Sequence, residues 1–228
     1  MSATESHVPP GRDPGGDFLT PGGLAQARIT VRGSRFLAIC EPCRRREQAS
    51  ERIREYERRY HDATHVCWAW RLRSETEPGE AWSDAGEPAG TAGVPIVGAL
   101  RSAGLENALG IVVRWFGGTK LGRGGLIKAY REAMQEAVEQ VAVVTEMPRV
   151  EIVCEAPAAM IGELHRLLTG TGAEYLDQSA TRDRVGITVS LPVRLVDTLE
   201  EQLIAATRGE GALIRPADHT GGESTDGE

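Results

Sequence analysis

Val150-Glu151-Ile152-Val153-Cys154, Ala173-Glu174-Tyr175-Leu176-Asp177-Gln178-Ser179, Val185-Gly186-Ile187-Thr188-Val189-Ser190-Leu191 and Ala212-Leu213-Ile214 are four short runs with the make-up of strands. Residues 158–168, after the first run, and 195–207, after the third, read as helices, so the order is βαββαβ. Two βαβ halves of this kind fold into a four-stranded antiparallel sheet with both helices on one face, the ferredoxin-like arrangement. That sandwich serves enzymes, metal carriers and RNA-binding modules alike, so the function has to be read from other residues.

Upstream, Pro148 marks a domain boundary. Residues 29–31 and 36–39 read as two strands around Gly33-Ser34, and residues 44–60 as a helix with Ala49, Ile53, Tyr56 and Tyr60 as its apolar stripe. Residues 64–72 read as a strand, 73–91 as a long polar loop and 96–103 as a short helix. Leu109-Gly110-Ile111-Val112-Val113 has the unbroken apolar run of a buried strand. Residues 124–140 read as a helix, with Leu126, Ile127, Tyr130, Met134, Ala137, Val138 and Val141 keeping helical spacing. The fold class is α+β in two domains, residues 28–148 and 149–216. The tails, 1–27 and 217–228, lack periodic apolar residues and are expected to be disordered.

The chain has 228 residues, 40% hydrophobic and 26% charged, as expected of a soluble globular protein. No apolar run approaches the ~20 residues that span a bilayer, and the N-terminus lacks the apolar stretch of a secretory signal. A cytoplasmic protein with no membrane association is expected, its four cysteines reduced. The net charge of −7 is unevenly spread: residues 28–147 carry 18 basic against 16 acidic side chains, 148–216 carry 7 against 10, and the tails 1 against 7. The total therefore leaves room for a basic patch.

The segment Val112-Val113-Arg114-Trp115-Phe116-Gly117-Gly118-Thr119-Lys120-Leu121-Gly122-Arg123-Gly124-Gly125-Leu126-Ile127-Lys128-Ala129-Tyr130-Arg131 reads as strand, glycine loop and helix. Glycines let the backbone approach a ligand closely, and the first amides of the helix are unpaired donors at the positive end of its dipole, which favours a bound anion. Between Asn107 and Arg131 there is no carboxylate, whereas Arg114, Lys120, Arg123, Lys128 and Arg131 are basic. A phosphate group is the natural ligand, and Arg114, Gly117, Gly118, Lys120, Arg123, Gly124, Lys128 and Arg131 are the candidate phosphate-binding residues. The order of a Walker A loop is absent, so nucleotide hydrolysis is not inferred. The plainer alternative is that the glycines serve packing and the basic residues form a solvated helix face.

His65, Asp84, Glu87 and Thr91 form a second candidate pocket, in which carboxylates and an imidazole share proton transfer or hold a metal. Against it stands a reading in which Asp84 and Glu87 accept backbone hydrogen bonds and His65 is a satisfied strand histidine. Cys40 and Cys43, a C-x-x-C, with His61 and His65 make a zinc site a further alternative. Cys154 reads as a small buried hydrophobe, and Trp68, Trp70, Trp115 and Phe116 as core residues or platforms for unpaired bases.

The glycine segment, together with Asp62-Ala63-Thr64-His65-Val66-Cys67-Trp68-Ala69 and Ser83-Asp84-Ala85-Gly86-Glu87-Pro88-Ala89-Gly90-Thr91-Ala92-Gly93-Val94-Pro95, resembles the signature of the Impact (YigZ-type) family over residues 34–131. Ala85, Trp115 and Lys128 depart from it, standing where the family has an acid, a tyrosine and an arginine. The resemblance implies an N-terminal ribosomal-protein-S5-domain-2-like domain followed by a ferredoxin-like domain resembling elongation factor G domain V. It also implies a translation-associated regulatory protein with RNA or the ribosome, or a protein of the translation machinery, as partner. Eukaryotic relatives use an additional N-terminal domain for which this sequence has no counterpart. No catalytic residue, metal ligand or cofactor carries over; the alternative function is a hydrolase or metal-assisted enzyme using His65, Asp84 and Glu87.

Overall fold

The computed structural model describes residues 16–73 and 79–215. They divide into two compact units, Asp17–Glu146 and the residues from Met147 onward. The first unit is built on an antiparallel five-stranded sheet in the order β2 (Ala25–Val31), β3 (Ser34–Pro42), β6 (Ala108–Trp115), β4 (His65–Leu72), β5 (Gly79–Ser83). Successive side chains of a strand point to opposite faces. Phe36, Ala38, Cys40 and Val112 thus enter a core shared with α2 (Gly93–Ser102) and α3 (Gly122–Gln140). Leu37, Ile39, Leu109, Ile111 and Val113 enter another under α1 (Arg46–Arg59), which supplies Ala49, Ile53 and Tyr56 from one face. Burial on both sides is why β6 reads as an unbroken apolar run.

Three strands differ from the expectations. β1 (Phe18–Pro21) pairs antiparallel with β7 (Val143–Glu146), Gly22 N donates to Ala142 O at 2.7 Å and Glu106 N donates to Leu19 O at 2.8 Å. The expectation of a disordered tail reaching residue 27 is therefore corrected for residues 17–27: Phe18–Pro21 pair with partners at the other end of the unit that a local reading does not see, and Ala25–Ala27 open β2 against β3. β5 lies within the stretch read as a polar loop; its Glu80 is buried only because Arg71 and Arg101 meet it. Residues 1–15, 74–78 and 216–228, covering the rest of the expected tails and part of that loop, lie outside the described residues.

The second unit runs β8 (Arg149–Pro157), α4 (Ile161–Gly170), β9 (Glu174–Ala180), β10 (Arg184–Pro192), α5 (Val196–Ala206), β11 (Ala212–Ile214), a single 3-10 turn leading into each helix. Its antiparallel sheet has the order β11-β8-β10-β9, the ferredoxin-like order with first and third strands central. Ile152, Cys154 and Ala156 of β8 and Ile187, Val189 and Leu191 of β10 alternate inward to meet Leu164, Leu168, Leu199 and Leu203 of the helices. The fold is α+β in both units.

Candidate functional site

The residues of interest gather where β4 begins and β6 ends, on the face that carries α3. His65 lies opposite Arg114 across the strand pair. Arg114 Nη1 donates to Glu87 Oε1 at 2.5 Å, and Tyr130 of α3 donates its hydroxyl to the same oxygen at 2.8 Å. Burial is the first cause that raises the Tyr130 phenol far above its ordinary range, with Cys67 and Glu87 beside it adding to the effect, so the phenol stays a donor. His65 Nε2 stands 3.9 Å from Glu87 Oε1, while His65 Nδ1 is 2.8 Å from the Ala85 carbonyl. Cys67 donates its thiol to Asp84 O at 3.0 Å and lies 3.4 Å from the Tyr130 hydroxyl. Burial pushes that thiol up to about 12, so it is not a nucleophile near neutral pH.

Asp84 organises the adjoining loop. Its Oδ2 accepts from Gly90 N at 2.7 Å and its Oδ1 from Ala92 N at 2.8 Å and Gly93 N at 2.9 Å, which closes residues 84–93 and supplies the missing partners at the start of α2. Thr91 is buried and donates to the Pro88 carbonyl at 2.6 Å. Asp84 thus takes the backbone-accepting role, whereas Glu87 accepts from Arg114 and Tyr130. Glu87 is nearly solvent-free, with 3% of its side chain exposed, and His65 keeps 20%.

The glycine loop leaves β6 above this network. Gly117 N donates to Ser34 Oγ at 3.2 Å, and Arg114 Nη2 donates to the same hydroxyl at 3.3 Å. The chain here crosses the β2–β3 turn so tightly that a Cβ on Gly117 would lie 1.9 Å from the Gly33 carbonyl carbon. Leu121 precedes α3 without offering a side-chain cap, and the first turn holds no acid. Gly117, Gly118, Lys120, Arg123, Gly124, Lys128 and Arg131 are exposed. Arg123 also donates to the Ala89 carbonyl at 2.9 Å, which joins the glycine loop to the loop of Asp84. Arg114 is the exception among the expected phosphate ligands: it is buried with Glu87, its guanidinium 5.6 Å from the rings of Phe36 and of Phe116.

The zinc alternative is overturned by the fold. Cys40 and Cys43 enter cores on opposite faces of the sheet, and burial pushes their thiols up to about 12 and about 11. Cys40 faces Gly110 across the strands, four residues along β6 from Arg114, the partner of His65, which is about 13 Å at strand rise. Among the described residues no group of three or more His, Cys, Asp or Glu side chains is placed to hold a metal. Ser34, Cys67 and Tyr130 escape the sequence reading; the one signal was a tyrosine in an apolar helix stripe, whose hydroxyl needs a buried partner.

Residues 32–138 match the model of the Impact N-terminal domain. The chain is 36% identical over 138 residues to an Impact family member of Thermus thermophilus, a match covering 60% of this chain and 73% of that protein. It belongs to the Impact family. Another Impact relative, YigZ of Escherichia coli strain K12, is 29% identical over 198 residues, 86% of this chain and 97% of its own. The match to the Impact family member YvyE of Bacillus subtilis, 34% identical over 127 residues, spans only 58% of that protein and 56% of this chain. A crystal structure described as that of a hypothetical protein superposes with a TM-score of 0.67 at 27% identity, covering 87% of this chain and 97% of the other. No helix among the described residues is long and apolar enough to cross a membrane.

Proposed function

We propose that this Impact family protein is a translation-associated regulatory protein that binds RNA phosphate, on free RNA or on the ribosome, through the glycine loop and the first half of α3. The observation that carries the reading is the exposed cationic stretch Lys120, Arg123, Lys128 and Arg131, beside backbone left open by glycines. Cations at a helix N-terminus oppose the dipole and cost about 0.3–1 kcal/mol each. Here the first turn has neither an acid nor a side-chain cap to offset them. An anion at that end relieves both the unpaired amides and the charge repulsion. The acids of α3, Glu132, Glu136 and Glu139, all follow the basic stretch. The ion pair of Glu87 with Arg114 gives that carboxylate a structural task and weakens the hydrolase alternative.

Co-sedimentation of the full chain with ribosomes and with total RNA, at low and moderate salt, tests the reading. Association that weakens with salt and is lost in Lys120→Ala/Arg123→Ala is expected, because each phosphate contact releases counterions. Equal association of parent and variant, or none by either, overturns it and points to a protein partner.

A further inference from the structure

The sheet face under α1 is incompletely covered. β3, β6 and β4 supply its core through residues such as Leu37, Val113 and Trp70, and β2 contributes nothing to it. Arg28 and Thr30 of β2 therefore remain exposed. The register sets Thr30 beside Arg35 and Arg35 beside Trp115, with Arg28 beside Leu37 in the next row. A cavity of about 200 Å³ opens over these rows, bounded by Arg28, Arg35, Leu37, Tyr60 and Trp115.

Its walls pair flat rings with positive charge. Tyr60 and Trp115 meet edge to face, 5.9 Å between ring centroids at 89°. The Arg35 guanidinium lies 5.2 Å from the indole centroid, and that of Arg59 lies 5.5 Å from the Tyr60 ring. No lining residue is a carboxylate. Asp62 lies outside the lining but accepts from Trp115 Nε1 at 2.9 Å, which fixes the indole. The volume falls below the ~300–1,000 Å³ of a drug-sized site, which suits one planar ring system. Trp115 also leads directly into Phe116 and the glycine loop, and Gly117 packs on the turn that joins the two strands bearing Arg28 and Arg35.

We propose that this pocket receives one unpaired base of a single-stranded RNA, stacked on Trp115 with the Tyr60 ring against its edge, and with the adjoining phosphates held by Arg28 and Arg35. Aromatic and guanidinium planes are the surfaces on which splayed-out bases stack, and cations along the groove track the backbone. The inference rests on the RNA-binding reading and adds to it a subsite that distinguishes single strands from duplexes, whose bases are already stacked.

Fluorescence-anisotropy titrations of the full chain with a labelled oligoadenylate and with a duplex RNA of equal length test it. Trp115→Ala is expected to weaken oligoadenylate binding about tenfold or more while leaving duplex binding unchanged, and Trp115→Phe to restore most of the loss. Arg28→Glu/Arg35→Glu alters only exposed side chains and is expected to weaken oligoadenylate binding at least as much, which keeps the test decisive should Trp115→Ala not fold. Undiminished oligoadenylate affinity in Arg28→Glu/Arg35→Glu overturns the pocket, as does undiminished affinity in a folded Trp115→Ala; the glycine-loop reading stands in that case if Lys120→Ala/Arg123→Ala still loses binding. A parent that binds neither RNA overturns both.

Discussion

Arg114 and Glu87 form an ion pair at 2.5 Å with only 6% and 3% of their side chains exposed, linking the last turn of β6 to the loop that precedes α2. Arg114 therefore anchors the strand from which the glycine loop springs and is removed from the cations available to a ligand.

Removing one partner leaves a buried charge uncompensated, so Glu87→Ala is expected to cost about 3–5 kcal/mol in denaturant unfolding. Glu87→Leu/Arg114→Met is expected to cost less than the sum of the single changes, because it removes both buried charges together, and Arg114 Nε finds no hydrogen-bond partner among the described residues even in the parent. A double variant as destabilised as that sum would mean that the pair does not act as a unit.

Gly117 and Gly124 both belong to the glycine stretch, but the structure separates them. Gly117→Ala forces a Cβ into the Gly33 backbone and is expected to cost about 4 kcal/mol or more, or to prevent folding. An added Cβ on Gly124 meets nothing within 4 Å, so Gly124→Ala is expected to stabilise by about 0.5–1 kcal/mol. Thermal unfolding of the two variants side by side decides this, and equal midpoints would refute the assignment.

Glu80 accepts from Arg71 Nε at 2.6 Å and from Arg101 Nε at 2.7 Å with its side chain wholly buried. Burial alone would raise its pKa, but the hydrogen bonds and charges of Arg101 and Arg71 outweigh it and hold the carboxyl below its ordinary value. A carboxyl depressed in the folded state contributes stability above its unfolded pKa and loses it as pH falls through the folded one. Glu80→Gln is therefore expected to be less stable than the parent at pH 7, with the gap narrowing in acid. Urea midpoints between pH 7 and pH 3 measure this; a gap independent of pH would contradict it.

Periodicity made the second unit legible, because its inward residues alternate along β8 and β10 in a core made by neighbours in sequence, and the helix ends shifted by only a few residues. The same local pattern revealed β3, α1, β6 and α3, each of which shows an apolar face. β1, β7 and β5 were hidden for physical reasons: Phe18–Pro21 and Val143–Glu146 hold each other from opposite ends of the unit, and β5 carries a glutamate whose burial depends on arginines from β4 and α2. The run of basic residues without an acid between Asn107 and Arg131 was plain in the sequence, as were the family signatures, since both are linear properties. Only the tertiary structure divided those cations, burying Arg114 with Glu87 and exposing Lys120, Arg123, Lys128 and Arg131. Of the two readings open for Asp84 it selected the backbone-accepting one, and it alone set Arg28, Arg35, Tyr60 and Trp115 around one cavity, because a side chain's partner across a sheet is fixed by strand register and not by its neighbours in the chain.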